Sequence, residues 1–141
     1  MVTYLLDTNV IAELVKPMPN QDVVRWVDAR DEQQLYVSVI TIGELLRGIA
    51  KHPQPARQAV LAAWVHDQLV PRFADRIVPV SLAVMRVWAD VTVECERRGR
   101  PLPAIDSLIA ASALSLKATI VTRNVSDFVA TGVDVVNPWG E

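Results

Sequence analysis

Cysteine is almost missing from this sequence of 141 residues: Cys95 is the only one. An intrachain disulfide is excluded, and with it the small stapled scaffolds of secreted proteins; a lone thiol suits a reducing compartment. Histidine is nearly as scarce. His52 and His66 stand at no spacing that would build a nitrogen–sulfur metal site, no Ser-His-Asp signature accompanies them, and both read as surface or packing residues. Positive charge is not in excess. Lys and Arg number 14 against 16 Asp and Glu, for a net charge of −2, whereas a broad basic face for duplex nucleic acid requires a clear surplus. Any nucleic-acid contact is therefore local. Long apolar runs are missing as well. The longest, AVLAAWV at Ala59–Val65, falls far short of the roughly 20 residues that cross a bilayer. Asp7 interrupts the N-terminus too early for the apolar region of a signal peptide. The expectation is a soluble cytoplasmic protein with no membrane contact. The glycines form no dinucleotide or phosphate-loop pattern.

Hydrophobic residues make up 51% of the chain and charged residues 21%, the composition of a globular domain and not of a disordered one. The length suits a single domain over residues 1–141, large enough to bury a core unaided. So high an apolar share in so small a domain points to some surface covered by a second chain.

The order of elements follows from periodicity and punctuation. YLL before Asp7 reads as a short buried strand; Thr8 or Asn9 caps the helix that follows, and Pro17 stops it. A helix is expected from Gln21 to Ala29, a strand at Leu35–Val39, and a helix opened by Thr41 that runs to Lys51. Ala56–Val70 has helical spacing and Pro71 closes it. RIVPV at Arg76–Val80 is a strand that Pro79 pushes to an edge. Ser81 caps a long helix to Arg98 with Gly99 as its stop, and RGRPLP leads into a helix from Ile105 to Leu116. ATIVT and VDVV are the last strands. Short, continuously apolar strands alternating with helices predict a mainly parallel sheet covered on both faces, an α/β/α sandwich. Ligands bind such sheets outside the carboxyl ends of the strands.

The acids fall at that edge. Asp7 ends the first strand, Glu44 lies in the first turn after the second, Asp106 opens the helix before ATIVT, and Asn124 and Asp127 follow IVTR. Each has an ordinary explanation: Asp7 as a solvated strand end, Glu44 with Thr41 as a capping box, Asp106 as an acid favoured by a helix N-terminus, Asn124 and Asp127 as turn residues. Nothing in capping chemistry, however, gathers them at one edge. Two bare charges 4 Å apart repel by about 4 kcal/mol at an effective dielectric of 20, and a hard divalent cation removes that conflict.

LLDTNVIAEL, TIGELLRGI, PAIDSLIAASAL, IVTRNVSDF and the closing VVNPW resemble, in order and over nearly the whole chain, the PIN-domain family, and within it the VapC/FitB-like toxins of toxin–antitoxin pairs. The resemblance implies a PIN-like three-layer α/β/α sandwich and an endoribonuclease dependent on Mg²⁺, with Mn²⁺ able to substitute, acting on single-stranded or looped RNA. It also implies a homodimer and a cognate antitoxin. Carried over by position, the catalytic and metal-binding acids are Asp7, Glu44 and Asp106. The fourth acidic position falls on Asn124, a departure that removes one ligand charge, and Asp127 stands near enough to act through a water. Glu44 either binds metal or orients the attacking water. Thr8, Asn9, Thr122, Arg123 and Asn124 are the candidate substrate-contacting residues, and Arg47 and Arg100 join Arg123 as candidate phosphate partners. Trp26, Trp64 and Trp88 read as packing residues, and Trp139 as packing back onto the fold.

Two other chemistries begin with an acid after a first strand. A haloacid-dehalogenase-like phosphatase needs a second acid where Asn9 stands. A response-regulator receiver needs paired acids and a lysine after a late strand, but Lys117 precedes its strand. The remaining alternative is a PIN-like module, weakly active or inactive, that only binds RNA or a partner.

Overall fold

Leu5 and Leu6 are adjacent and both fully buried, yet they belong to different cores. Alternate residues of a strand face opposite sides of a sheet, so this first strand must be covered on both. The computed structural model, which describes residues 1–141, has that arrangement. Five strands form one sheet, β1 (Tyr4–Leu6), β2 (Leu35–Ser38), β3 (Ile77–Val78), β4 (Thr119–Val121) and β5 (Val135–Val136), in the order β3-β2-β1-β4-β5. Every pairing is parallel, with Leu5 opposite Tyr36 on one side and Ile120 on the other. The fold is the α/β sandwich that the sequence predicts.

On one face Leu6 and Val121 meet Val10 and Ile11 of α1 (Thr8–Leu14), Val23 and Val27 of α2 (Gln21–Asp28), and Phe73. Trp139 packs into this core, as expected. On the other face Leu5 and Ile120 meet Ile109, Ala110 and Ala113 of α7 (Ala104–Leu116) and Phe128 of α8 (Val125–Phe128). Each such Leu or Ile contributes about 1.5–3 kcal/mol by leaving water. Next to the sheet lies α3 (Val39–Ala50), whose Ile42 and Leu45 pack on the first core and Ile40 on the second. The long α6 (Leu82–Arg97), capped by Ser81, packs along α7. Trp88 of α6 donates from Nε1 to Ser107 Oγ at 2.9 Å, and Ser107 donates on to the Ala104 carbonyl at 2.7 Å. No helix is long and apolar enough to cross a membrane.

Three boundaries differ from expectation. The cap of α1 is Asp7 itself, whose carboxylate accepts the Thr8 N–H, and neither Thr8 nor Asn9 serves. The cap of α3 is Ser38, which accepts from Ile40 N, so the helix starts before Thr41 and Thr41 is buried within it. The helix predicted to close at Pro71 runs through α4 (Pro55–Trp64), a π turn at Val65–Leu69 and α5 (Val70–Arg72). Val70 donates to the Val65 carbonyl, an i to i−5 bond. This wider turn shifts the ladder just before Pro71, which has no N–H to give. β3, beside Pro79, is an edge strand, as the proline requires.

Candidate active site

The chain order reverses at β1: β2 and β3 lie to one side, β4 and β5 to the other. At such a switch point the loops leaving neighbouring strands diverge and open a crevice at the carboxyl edge. Asp7 directly follows β1, and Thr122, Arg123 and Asn124 follow β4. α3 leaves β2 at the same edge and brings Glu44. α7 leads into β4 and so runs against the strand direction, which puts its first turn, with Asp106, at that edge too. Asp7, Thr8, Asn9, Glu44, Asp106 and Asn124 line one cleft of about 260 Å³. Segments separated by most of the chain thus converge.

Hydroxyl groups hold two of the three acids. Asp7 is buried; one oxygen accepts from Thr8 N at 2.8 Å and the other from Thr122 Oγ1 at 2.8 Å. Glu44 accepts from Thr8 Oγ1 at 2.6 Å, and Thr8 lies 3.1 Å from the buried hydroxyl of Thr41. Since Thr8 donates to Glu44, Thr41 donates to Thr8, a relay that the sequence reading missed because TIGE looked like a capping box. With Ser38 doing the capping, Glu44 has no capping duty. Asp106 accepts no hydrogen bond from its own helix, whose N-terminus has no side-chain cap.

None of these acids is ion-paired. The chain's ion pairs engage Lys16, Arg25, Arg72, Arg76, Arg98 and Arg123 with other carboxylates. Burial pushes the Asp7 carboxyl above the ordinary aspartate range, against the hydrogen bonds from Thr122 and Thr8, and the charges of Glu44 and Asp127 push it further. Asp106 is raised as well, by burial first and then by repulsion from Asp7, Asp127 and Glu44. Asp7 and Asp106 thus feel the neighbouring acids, and no ion pair offsets either of them. No three acidic, histidine or cysteine side chains stand close enough together to hold a metal ion as a group. Thr8 holds Glu44 at the wall of an open cleft.

The other expected site residues divide. Asn124 lines the cleft, while Asp127 lies beyond Asp106, on a neighbouring hollow. Thr122 is fully buried, donates to Asp7, and accepts from Asn9 Nδ2 and from Asn124 N, both at 3.1 Å. Its hydroxyl thus donates once and accepts twice, and it orients Asp7. Arg123 sits on the rim, but its guanidinium pairs with Glu141 at 3.1 Å and lies over the Trp139 ring.

Residues 4–132 match the model of the PIN domain. The chain belongs to the PIN-domain family. Among relatives of this PIN domain, the VapC ribonuclease Y4jK of Sinorhizobium fredii is 36% identical over 96% of this chain and 96% of its own. The toxin FitB of Neisseria gonorrhoeae is 37% identical over 96% of this chain and 97% of its own. The crystal structure of FitAcB from N. gonorrhoeae superposes with a TM-score of 0.93 at 36% identity, covering 99% of this PIN domain and 100% of that chain.

Proposed function

We propose that this PIN domain is the toxin of a toxin–antitoxin pair and a divalent-metal-dependent endoribonuclease. One observation carries the reading: Asp7, Glu44 and Asp106, from distant segments, line one cleft with no cationic side chain among them. The relatives named VapC ribonuclease and toxin FitB support the activity and the toxin role, and a toxin of this kind has a cognate antitoxin.

The donor set fits a hard cation. All the candidate ligands are oxygens, and Mg²⁺ takes one or two carboxylates while keeping several waters, so the open cleft suits it better than a closed cage would. Asp7 and Asp106 would hold the ion, with Asn124 contributing a neutral oxygen and Asp127 reaching it only through water. When bound, the ion supplies a Lewis acid that eases deprotonation of water and offsets charge on the phosphate. Thr122 fixes the rotamer of Asp7. Glu44, held by Thr8, either joins the ligand set or accepts the proton of the attacking water. As the resemblance to the family implies, water attacks phosphorus in line and the 3′ oxygen leaves, taking a proton from solvent, which gives a 5′-phosphate and a 3′-hydroxyl.

The test is to incubate purified wild type and Asp106→Ala with single-stranded RNA in Mg²⁺, Mn²⁺ or EDTA and to sequence the ends. Discrete 5′-phosphate ends are expected for wild type with either metal, and their loss with EDTA or in the variant. Equal cleavage in EDTA contradicts the metal dependence. RNA bound but never cut favours the inactive binding module, the reading that Asn124 in place of an acid would suit.

A further inference from the structure

Three more hollows border the acid cleft, and two of them carry an arginine. One, of about 360 Å³, shares Asp106 with it and is walled by the loop from Gly99 to Pro103 together with Ser126 and Asp127. The other, of about 420 Å³, shares Glu44 and is lined by Val39, Ile40, Gly43, Arg47 and Ile105. Each is large enough for a small ligand group, and each contains one arginine.

Both arginines are exposed and neither belongs to an ion pair. Arg47 stands three residues past Glu44 on α3 and so shares its face of the helix. Arg100 is fixed by the chain end of α6. Gly99 takes φ +68 and donates to the Glu96 carbonyl, and Arg100 donates to the Cys95 carbonyl at 2.8 Å. This paired closure of a helix needs the left-handed conformation that glycine adopts without strain. Pro101 and Pro103 then stiffen the segment up to α7. The loop presents its guanidinium from a held backbone.

An acid cleft repels the phosphates that flank the one being cut, so a strand seated on it needs cations on either side. Arg123 is the nearest arginine in sequence to the site, but Glu141 occupies its fork. The hollow beside Arg47 adds an apolar floor, Val39 and Ile105, both more than a third exposed. An unstacked base can cover such a floor.

We infer that the RNA strand crosses the acid cleft between Arg100 on one side and Arg47 on the other, with the nucleotides flanking the cleaved bond seated in these two hollows. This rests on the ribonuclease reading above and adds the path of the substrate.

The experiment measures binding apart from cleavage. Fluorescence anisotropy of a labelled, mixed-sequence single-stranded RNA of about twelve nucleotides is followed over a salt series, in an Asp106→Asn background, with RNA integrity checked on gels. Each phosphate contact on a single strand contributes about 0.7 to the slope of log affinity against log salt. Arg47→Ala and Arg100→Ala should each lower the slope by about that amount and weaken binding about three- to fivefold, additively when combined. Arg123→Ala should leave the slope unchanged. All three variants, at exposed positions, should melt with the parent. An unchanged slope in either Arg47→Ala or Arg100→Ala, or a fall in Arg123→Ala, overturns the path. Failure of the parent to bind RNA overturns it too, and the cleavage assay on wild type then decides separately whether the ribonuclease reading survives.

Discussion

Replacing Asp106 by Asn should stabilise the protein in EDTA and destabilise it, relative to wild type, in Mg²⁺. The carboxyl of Asp106 is raised by burial and by three neighbouring acids. A raised acid in the folded state contributes stability that is complete below its unfolded pKa and is lost as pH climbs through the folded one. At neutral pH the metal-free protein therefore carries a penalty that Asn lacks. Because Asp106 is partly exposed, the repulsion is screened to about 0.5–1 kcal/mol. The N-terminus of α7 returns a few tenths of a kcal/mol to the charged form, and the raised pKa means that it does not win. The balance, about 0.5 kcal/mol, is about 2 °C in Tm at this chain length. It should shrink as the pH falls to 4, toward the ordinary aspartate pKa below which the penalty is lost. Mg²⁺ at ten times its Kd then stabilises wild type by about 1.4 kcal/mol, about 5 °C, and leaves Asp106→Asn with a much smaller gain. Differential scanning fluorimetry at pH 7.5 and pH 4, with EDTA or Mg²⁺, reads all of this. A variant that melts below wild type in EDTA, or Mg²⁺ that raises both proteins equally or neither, would rule out a repelled, metal-binding Asp106.

Thr122→Val removes the hydroxyl that donates to Asp7 and accepts from Asn9 and Asn124; denaturant unfolding should show a loss of about 1–3 kcal/mol, with cleavage impaired and both properties recovered in Thr122→Ser. Ser107→Ala strips the indole of Trp88 of its partner at the root of α7 and should cost about 1–2 kcal/mol, accompanied by a change in tryptophan emission; an unchanged spectrum and Cm would show that the bond contributes nothing. Lys117 ends α7 with φ 57, a left-handed residue that is not glycine; Lys117→Gly should raise stability by about 0.5–1 kcal/mol, and a lower Tm would mean that the lysine makes a contact that outweighs the strain.

The sheet was legible because its strands are short, apolar and separated by clear stops, and because Pro79 admits only an edge position. The gathering of Asp7, Glu44 and Asp106 was legible for the same reason: once the sheet is parallel, strand ends and helix starts share an edge. What the sequence concealed is decided by packing. Whether Ser38 or Thr41 caps α3 depends on where β2 releases the chain, and both are preferred cap types; only the fold buries Thr41 and turns its hydroxyl toward Thr8. An Asp directly before a helical run is as good a cap signal as Thr8 or Asn9, and only the fold shows which of the three serves. The role of Thr122 could not be read, since a hydroxyl at a strand end is free or saturated according to partners far away in sequence. Arg123 and Glu141 meet only because Trp139 docks in the core and brings the last residues back to the rim.

A divalent cation among these acids would show itself in an anomalous difference map from crystals soaked in Mn²⁺. One strong peak is expected in the cleft, about 2.1–2.3 Å from carboxylate oxygens of Asp7 and Asp106, with Glu44 or Asn124 turned toward it. A clean cleft at saturating Mn²⁺, or a peak held only by acids elsewhere on the surface, would contradict it.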